Sequence, residues 1–318
     1  MSLPLIFGPY GASAVAVVHM LRRAGANALW FHGFDPEAFD ACEKHGVAAC
    51  VEFPTFRADF RARPELVPIG VDGRPIRYGR LVQGVCLSQH AFLAEIEAAL
   101  LTGLDAFRPI GIWLDYLTYG GWFEVPDPDL QESCFCPACV AEFCESTGID
   151  ADRPGQILAE HADVWRRHKC ERIAGYAMHC AKLIRAVNPN CVIGAYMCPW
   201  LPDEFDEALT RIFAQDYDLL APAVDVFTPL IYARKSGRSA DWGQAVLEAS
   251  GGFLPAGRKL QPILDVLDFP ESLEAVAVAS PPPWGLQVFG GAETFRDADS
   301  IAIFSRCVER IRAALAGA

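Results

Sequence analysis

One carboxylate in the sequence lies near the end of an apolar segment and among aromatic side chains. Asp115 belongs to the segment at residues 110–117, and Trp113, Tyr116, Tyr119 and Trp122 lie close to it in the chain. Apolar surroundings raise the pKa of a carboxyl group, which lets it act as a general acid near neutral pH. Aromatic rings also offer apolar surface to the apolar faces of sugar rings. The sequence therefore predicts a proton donor at Asp115. The alternative is a buried Asp that is hydrogen-bonded to loop amides.

Two further acids occupy a comparable position in apolar segments. Asp265 lies late in the segment at residues 259–267, and Glu52 lies late in the segment at residues 47–53. Hydrolysis of a glycosidic bond generally uses a pair of carboxyl groups, so either acid is a candidate catalytic partner for Asp115. The alternative for each is binding of hydroxyl groups or bracing of a loop. Asp225 begins a predicted strand, where parallel α/β proteins do not place their active sites, and is excluded.

Six further side chains lie at or next to predicted strands, and we predict that they contact a substrate. They are His32, Tyr116, Tyr196, Trp200, Tyr232 and Trp284. A histidine can orient a hydroxyl group or a carboxylate. Tyrosine and tryptophan combine an apolar ring with one polar group. The alternative for all six is packing in the core or in a loop.

Three thiols occur within six residues, at Cys134, Cys136 and Cys139, just before a helix. Closely spaced cysteines on a turn can supply several corners of a tetrahedral zinc site. Cys86 is the predicted fourth ligand, because the loops after the third and fourth strands of a barrel are neighbours. Cys144 lies off the same helical face. We expect a structural zinc ion with no open coordination position. Three reduced loop thiols without a metal are the alternative.

Apolar segments alternate with amphipathic segments along the chain, and this pattern predicts how the candidate residues are positioned. Strands are predicted at residues 3–10, 27–34, 47–53, 110–117, 191–197, 224–232, 259–267 and 285–291. Helices are predicted at residues 14–24, 36–45, 88–102, 157–187, 203–215, 241–249, 273–278 and 297–315. Eight strand–helix units favour an α/β fold, a TIM (β/α)8 barrel with extended loops after strands 3 and 4. We expect a single barrel domain over residues 1–318. An open doubly wound sheet is the alternative, but residues 7–11 lack the GxGxxG spacing that such a sheet usually carries.

Composition and charge restrict the partners of the chain. The net charge of −13 would repel phosphate backbones, so nucleic acid is excluded as a partner. No apolar stretch reaches the roughly 18 residues of a membrane span. The apolar N-terminal segment lacks a preceding basic region, so we expect no cleaved signal peptide and a cytoplasmic protein. A carbohydrate is the expected small-molecule partner, and the sequence leaves open a homo-oligomer.

The segment at residues 134–189, with its CxCxxC motif followed by a long helix that carries Trp165, resembles family 42 glycoside hydrolases, the β-galactosidases. It also resembles a broader group of hydrolase-like barrels, as do residues 227–242. The resemblance covers roughly residues 80–240. It implies a TIM barrel and a zinc ion bound by the CxCxxC cysteines together with the upstream Cys86. One departure concerns catalysis. The family has an Asn-Glu pair at the end of strand four and a Glu on strand seven, where this chain has Leu114-Asp115 and Asp265.

Three functions are compatible with these observations. The first is hydrolysis of an oligosaccharide or glycoside by Asp115 and a second acid. The second is a carbohydrate-binding barrel without hydrolysis, which the missing Asn-Glu pair favours. The third is a metal-dependent hydrolase of another barrel superfamily, which usually needs several His and Asp ligands at strand ends. The seven histidines of this chain include no HxH motif, which disfavours the third function.

Overall fold

The computed structural model describes residues 4–76 and 84–317, and its eight strand positions form a closed parallel barrel. Each strand pairs with the next in the chain, and the last pairs with the first at Phe7 and Leu286. The strands are β1 (Phe7–Tyr10), β2 (Ala28–His32), β3 (Ala48–Pro54), β4 (Gly111–Asp115), β5 (Val192–Met197), β6 (Val226–Ile231), β7 (Lys259–Leu260 and Ile263–Asp265) and β8 (Leu286–Phe289). The predicted α/β TIM barrel, with long connections after β3 and β4, is confirmed.

Helices surround the barrel and cover its outer surface. They are α1 (Val18–Leu21), α2 (Pro36–His45), α3 (His90–Ala106), α4 (Pro137–Thr147), α5 (Pro154–Glu160), α6 (Ala162–Val187), α7 (Ala208–Arg211), α8 (Tyr217–Leu220), α9 (Trp242–Ala249), α10 (Glu271–Val276) and α11 (Ala298–Ala316). Short 3₁₀ helices lie at Ala12–Val17, Pro64–Leu66, Ser250–Gly252, Val266–Asp268 and Gly291–Phe295. Within the described residues, no helix is both long and apolar enough to cross a bilayer.

Helix α2 illustrates how local sequence sets the ends of an element. The Asp35 side chain accepts a hydrogen bond from the backbone N–H of Glu37 at 2.9 Å, and Pro36 occupies the first helical position. Gly46 ends the helix in the left-handed region at φ 62°. An acidic N-cap, an early proline and a terminal glycine are the strongest local signals for helix boundaries.

Large aromatic side chains fill the interior of the barrel. Trp30 and Trp113 are fully buried, with ring centroids 5.3 Å apart in an edge-to-face arrangement. Gly194 makes room for them, because a Cβ atom there would lie 2.3 Å from Nε1 of Trp113. The Trp113 indole donates a hydrogen bond to Thr228 at 2.8 Å. The interior between these residues is therefore a packed core.

The structure differs from the predicted elements in three places. The seventh strand is divided between Leu260 and Ile263, where Pro262 has no N–H to donate to a neighbouring strand. The predicted helix at residues 203–215 is reduced to α7, because Phe205, Asp206 and Glu207 all have positive φ. The predicted helix at residues 157–187 is two helices, α5 and α6, that meet at His161.

The long loops after β3 and β4 lie against each other. Gly84 adopts φ +83°, and a Cβ atom on it would lie 2.4 Å from the backbone nitrogen of Gly120. Only glycine allows this approach of one backbone to another. Cys86 follows two residues later, so this contact brings the first loop to the second near the cysteines. Residues 77–83 of the first loop lie outside the described part of the chain.

Candidate active site and cysteine cluster

A pocket lies at the carboxyl ends of the barrel strands. Tyr10 of β1, Asp115 of β4, Tyr196 of β5 and Tyr232 after β6 line it, together with Glu124 from the loop after β4. The described residues enclose a volume of about 180 Å³. An engineered cavity of roughly 150 Å³ holds one benzene molecule, so this pocket can hold one ring-sized group. In TIM barrels the strand ends are the usual position of the active site.

Glu52 is the centre of a hydrogen-bond network beneath the pocket. Its side chain is 1% exposed, and its Oε2 atom accepts a hydrogen bond from the Tyr10 hydroxyl at 3.1 Å. Nδ1 of His32 lies 2.5 Å from the same oxygen. This hydrogen bond raises the pKa of His32, whose side chain remains about half exposed at 53%. The network therefore connects a buried carboxyl group to a histidine at the surface.

Asp115 and Glu52 form a carboxyl pair. Asp115 pairs in register with Pro54, two residues beyond Glu52 on the neighbouring strand, so both side chains lie on the same side of the sheet. Burial raises the pKa of Asp115 well above its ordinary value, and the charge and hydrogen bond of Glu52 raise it further. The buried Oε1 atom of Glu52 has no hydrogen-bond donor among the described residues. With its pKa raised in this way, Asp115 keeps its proton above the pH at which an isolated Asp releases it.

The backbone beside Asp115 is in an unusual conformation. Tyr116 has φ 56°, in the left-handed region that non-glycine residues rarely adopt, and its N–H donates to Asp115 Oδ1 at 2.8 Å. Such conformations cost free energy and concentrate at functional sites. Here the conformation directs the Tyr116 ring into the pocket wall, where the guanidinium of Arg57 lies 5.3 Å from the ring centroid.

Asp265 lies at the end of β7, buried and next to a cation. Its Oδ1 atom accepts a hydrogen bond from Leu267 N–H at 2.9 Å, and Nζ of Lys235 lies 2.8 Å from Oδ2. The same ammonium group lies 4.5 Å from the ring centroid of Tyr232 and 4.6 Å from that of Phe289. Asp265 is thus compensated by Lys235 behind the aromatic wall of the pocket.

Glu124 is an acid of the pocket that does not lie at the end of a strand. It is partly exposed in the loop after β4. Burial raises its pKa to about 7, while Lys235 acts in the opposite direction and Asp265 adds to the increase. A carboxyl group with this pKa changes its charge near neutral pH.

The predicted aromatic contacts divide into two groups. Tyr116, Tyr196 and Tyr232 line the pocket, and the Tyr196 hydroxyl lies 2.7 Å from the side-chain amide of buried Gln287. Trp200 and Trp284 do not line it. Trp200 is 3% exposed, and its ring packs edge-to-face against that of the pocket residue Phe123.

Trp284 lies at the other end of the barrel. It precedes β8, and its backbone N–H donates a hydrogen bond to the carbonyl of Leu260, which ends the first segment of β7. It contacts a separate surface cleft, which also includes Arg258 and Pro281. The structure therefore does not bring Trp284 together with Asp115, because a residue before a parallel strand lies at the amino end of the barrel.

Four cysteines from the two long loops come together as predicted. The Sγ atoms of Cys86, Cys134, Cys136 and Cys139 all lie within 4.8 Å of one another. Cys86 Sγ is 3.6 Å from Cys136 Sγ and 3.6 Å from Cys139 Sγ. With Zn–S distances of about 2.3 Å, the corners of a tetrahedral site are roughly 3.8 Å apart. The cluster therefore has the donors and the spacing to bind a metal ion.

Nearby donors are suited to sulfur atoms that carry negative charge. The backbone N–H of Ile69 donates to Cys134 Sγ at 3.2 Å, and Arg172 approaches Cys139 Sγ at 3.7 Å. Hydrogen bonds of this kind orient and stabilise metal-binding thiolates. Cys144 is not part of the cluster, since its thiol donates to the carbonyl of Ala151 at 3.2 Å.

Some site residues could have been found from sequence, and others could not. Tyr10 ends β1 and follows the same strand-end rule that identified Asp115. Glu124 and Lys235 lie in loops, where no periodic pattern indicates the direction of a side chain. Their positions depend on how the loops after β4 and β6 fold over the barrel.

Solved structures of glycoside hydrolases share this fold at low sequence identity. The PgaB (BpsB) glycoside hydrolase domain from Bordetella bronchiseptica has a TM-score of 0.73 and 12% identity, over 95% of this chain and 98% of that domain. The β-galactosidase of the Antarctic haloarchaeon Halorubrum lacusprofundi has a TM-score of 0.66 and 15% identity, over 98% of this chain and 58% of the enzyme. A family 42 β-galactosidase from G. stearothermophilus has a TM-score of 0.64 and 13% identity, over 98% of this chain and 56% of the enzyme.

Sequence comparisons add no closer relationship. No protein-family model and no curated protein matches the chain. The chain spans little more than half the length of the β-galactosidases, at 58% and 56%. At these identities the similarity establishes the fold alone, which is a TIM barrel.

Proposed function

We propose that the protein is a glycoside hydrolase in which Asp115 donates a proton to the glycosidic oxygen. The observation that carries the proposal is the carboxyl pair of Asp115 and Glu52 at the pocket. A general acid must hold its proton at working pH, and a neighbouring carboxyl group in buried surroundings has this effect. Donation of that proton to the leaving oxygen is the step that cleavage of a glycosidic bond requires.

The shape of the pocket supports a substrate with a terminal sugar. The volume of about 180 Å³ suits one ring, and Tyr10, Tyr116 and Phe289 supply aromatic surface. Rings of this kind pack on the C–H faces of sugars, while Asp115 remains available to the bond that joins this sugar to the rest of the molecule. We infer that one sugar residue enters the pocket and that the remainder extends outward.

A panel of nitrophenyl glycosides with different sugars and both anomers tests the proposal. We expect release of nitrophenol from at least one member. Calorimetry with the corresponding free sugars is run in parallel. Binding of a sugar without turnover of any glycoside would contradict hydrolysis and would favour the carbohydrate-binding barrel without a catalytic pair.

We further propose that the cysteine cluster binds one structural zinc ion. Four sulfur ligands leave no open coordination position, so the ion would connect the loops after β3 and β4 without taking part in the reaction. Elemental analysis of the purified protein is expected to give about one zinc per chain. Cys136→Ser is expected to lose the metal and to lower the melting temperature, because structural zinc sites contribute directly to folding.

Two variants separate this result from a general effect on the protein. Cys144→Ser removes a nearby thiol that lies outside the cluster, and it is expected to retain zinc. Asp115→Asn is also expected to retain it, because the cluster and the pocket use different residues. Full zinc content in Cys136→Ser would contradict the assignment of the ligands.

A further inference from the structure

Three acids near Asp115 differ in their access to the pocket. Glu52 is 1% exposed and Asp265 is 2% exposed, and neither lines the cavity. Glu124 lines the same cavity as Asp115 and is partly exposed in it. A carboxylate that acts on a sugar or on a water molecule must contact it. This requirement favours Glu124 over the two strand-end acids.

The hydrogen-bond partners of the three acids also distinguish Glu124 from Glu52 and Asp265. Oε2 of Glu52 is within hydrogen-bond distance of Tyr10 and His32, and Asp265 is held by Leu267 N–H and by Lys235. Among residues 4–76 and 84–317, by contrast, no group forms a hydrogen bond or ion pair with the carboxyl group of Glu124. Its oxygens are therefore available to a molecule in the pocket.

We propose that Glu124 is the second catalytic carboxylate and that it activates the attacking water molecule. This inference rests on the proposed hydrolysis by Asp115. Glu124 accepts a proton from water while the water oxygen forms a bond to the anomeric carbon. The C–O bond to the leaving group breaks as Asp115 transfers its proton to the departing oxygen. The net change is addition of one water molecule across the bond, and both carboxyl groups return to their starting states by proton exchange with solvent.

The charges around Glu124 suit this role. The ammonium of Lys235 is a nearby cation. The carboxyl groups of Asp115 and Asp265 and the phenol of Tyr232 also interact electrostatically with Glu124. The resulting pKa of about 7 makes Glu124 a stronger base than an ordinary glutamate. A basic carboxylate is better suited to accept a proton from water than to serve as a leaving group in a covalent intermediate.

The test compares Glu124→Gln with Asp127→Asn, an exposed acid in the same loop. The assay uses the nitrophenyl glycoside that the wild-type protein cleaves fastest. We expect kcat to fall by about 10²–10⁴-fold in Glu124→Gln and to stay near the wild-type value in Asp127→Asn. In the wild type, kcat should rise as pH increases through about 7, because Glu124 must be ionised. This rise should be absent from the residual activity of Glu124→Gln.

The stereochemistry of the product gives a second readout. Attack by a water molecule that Glu124 activates inverts the anomeric centre, which NMR detects directly in the first-formed sugar. A retained configuration, or nearly full activity in Glu124→Gln, would overturn the inference. If Asp115→Asn is inactive while Glu124→Gln is active, only this inference fails. If the wild type cleaves no glycoside, the proposed hydrolysis fails, and this inference fails with it.

Discussion

Asp115→Asn is expected to lower kcat by about 10²–10⁴-fold, the usual contribution of a positioned general acid. The amide has almost the same shape as the carboxyl group, and its oxygen can still accept the hydrogen bond from Tyr116 N–H. It cannot transfer a proton to a leaving oxygen. The loss should be smaller for nitrophenyl leaving groups than for sugar leaving groups, because nitrophenolate departs with less need for protonation. Steady-state kinetics with one substrate of each kind measures this difference.

The same variant is expected to be at least as stable as the wild type. The raised pKa of Asp115 means that the folded protein holds a proton at pH values where the unfolded chain has released it. The folding stability of the wild type therefore falls as pH rises from the ordinary pKa of Asp toward the raised one. Asn has no proton to lose, so Asp115→Asn should lack this decrease. Urea unfolding at several pH values tests the point, and a clear loss of stability in the variant at neutral pH would contradict a raised pKa of Asp115 in the folded protein.

Lys169→Met is expected to destabilise the protein by about 3–5 kcal/mol, the usual cost of removing one partner of a buried ion pair. Lys169 lies on α6 with 0% exposure, and its Nζ atom is 2.7 Å from Glu132 Oε2. Arg211 lies 3.4 Å from the other oxygen of Glu132 and compensates part of the remaining charge, so the lower end of this range is expected. Urea unfolding measures the loss.

Two comparisons test the cause of that loss. Lys182→Met alters an exposed lysine on the same helix and should change the free energy of unfolding by less than about 0.5 kcal/mol. Adding Glu132→Gln to Lys169→Met removes the unpaired charge and should restore part of the stability. A loss in Lys169→Met no larger than that in Lys182→Met would show that this ion pair does not hold the loop after β4 against α6.

The barrel and the strand-end residues could be predicted because they follow from periodic patterns. Parallel strands place their carboxyl ends together, so Asp115, Glu52 and His32 had to lie at one end of the barrel. The contact between Asp115 and Glu52 also depends on register, since Asp115 pairs with Pro54. Sequence does not specify that register. The side chains of Glu124 and Lys235 depend on irregular loops, and no pattern of spacing predicts them.

Trp284 lies apart from the other predicted substrate contacts, at the other end of the barrel. The predicted eighth strand began at residue 285, so a residue just before it belonged at the amino end by the same rule that located Asp115. Its indole favours a sugar contact by residue type, whereas its place in the sequence favours the amino end of the barrel. The structure supports position as the better criterion, because direction along a parallel strand determines which end of the barrel a residue reaches.

The spacing of the four cysteines has a consequence for how the protein is assembled. Cys134, Cys136 and Cys139 are neighbours in the chain, whereas Cys86 is 50 residues from Cys136. The three local thiols can capture a metal ion while the chain is still unfolded. The fourth thiol, that of Cys86, joins only after β3, α3 and β4 have packed together and Gly84 contacts the backbone of Gly120. Completion of the tetrathiolate would thus mark a late stage of folding, and cobalt added in place of the proposed zinc ion would report it through the change in its absorption spectrum.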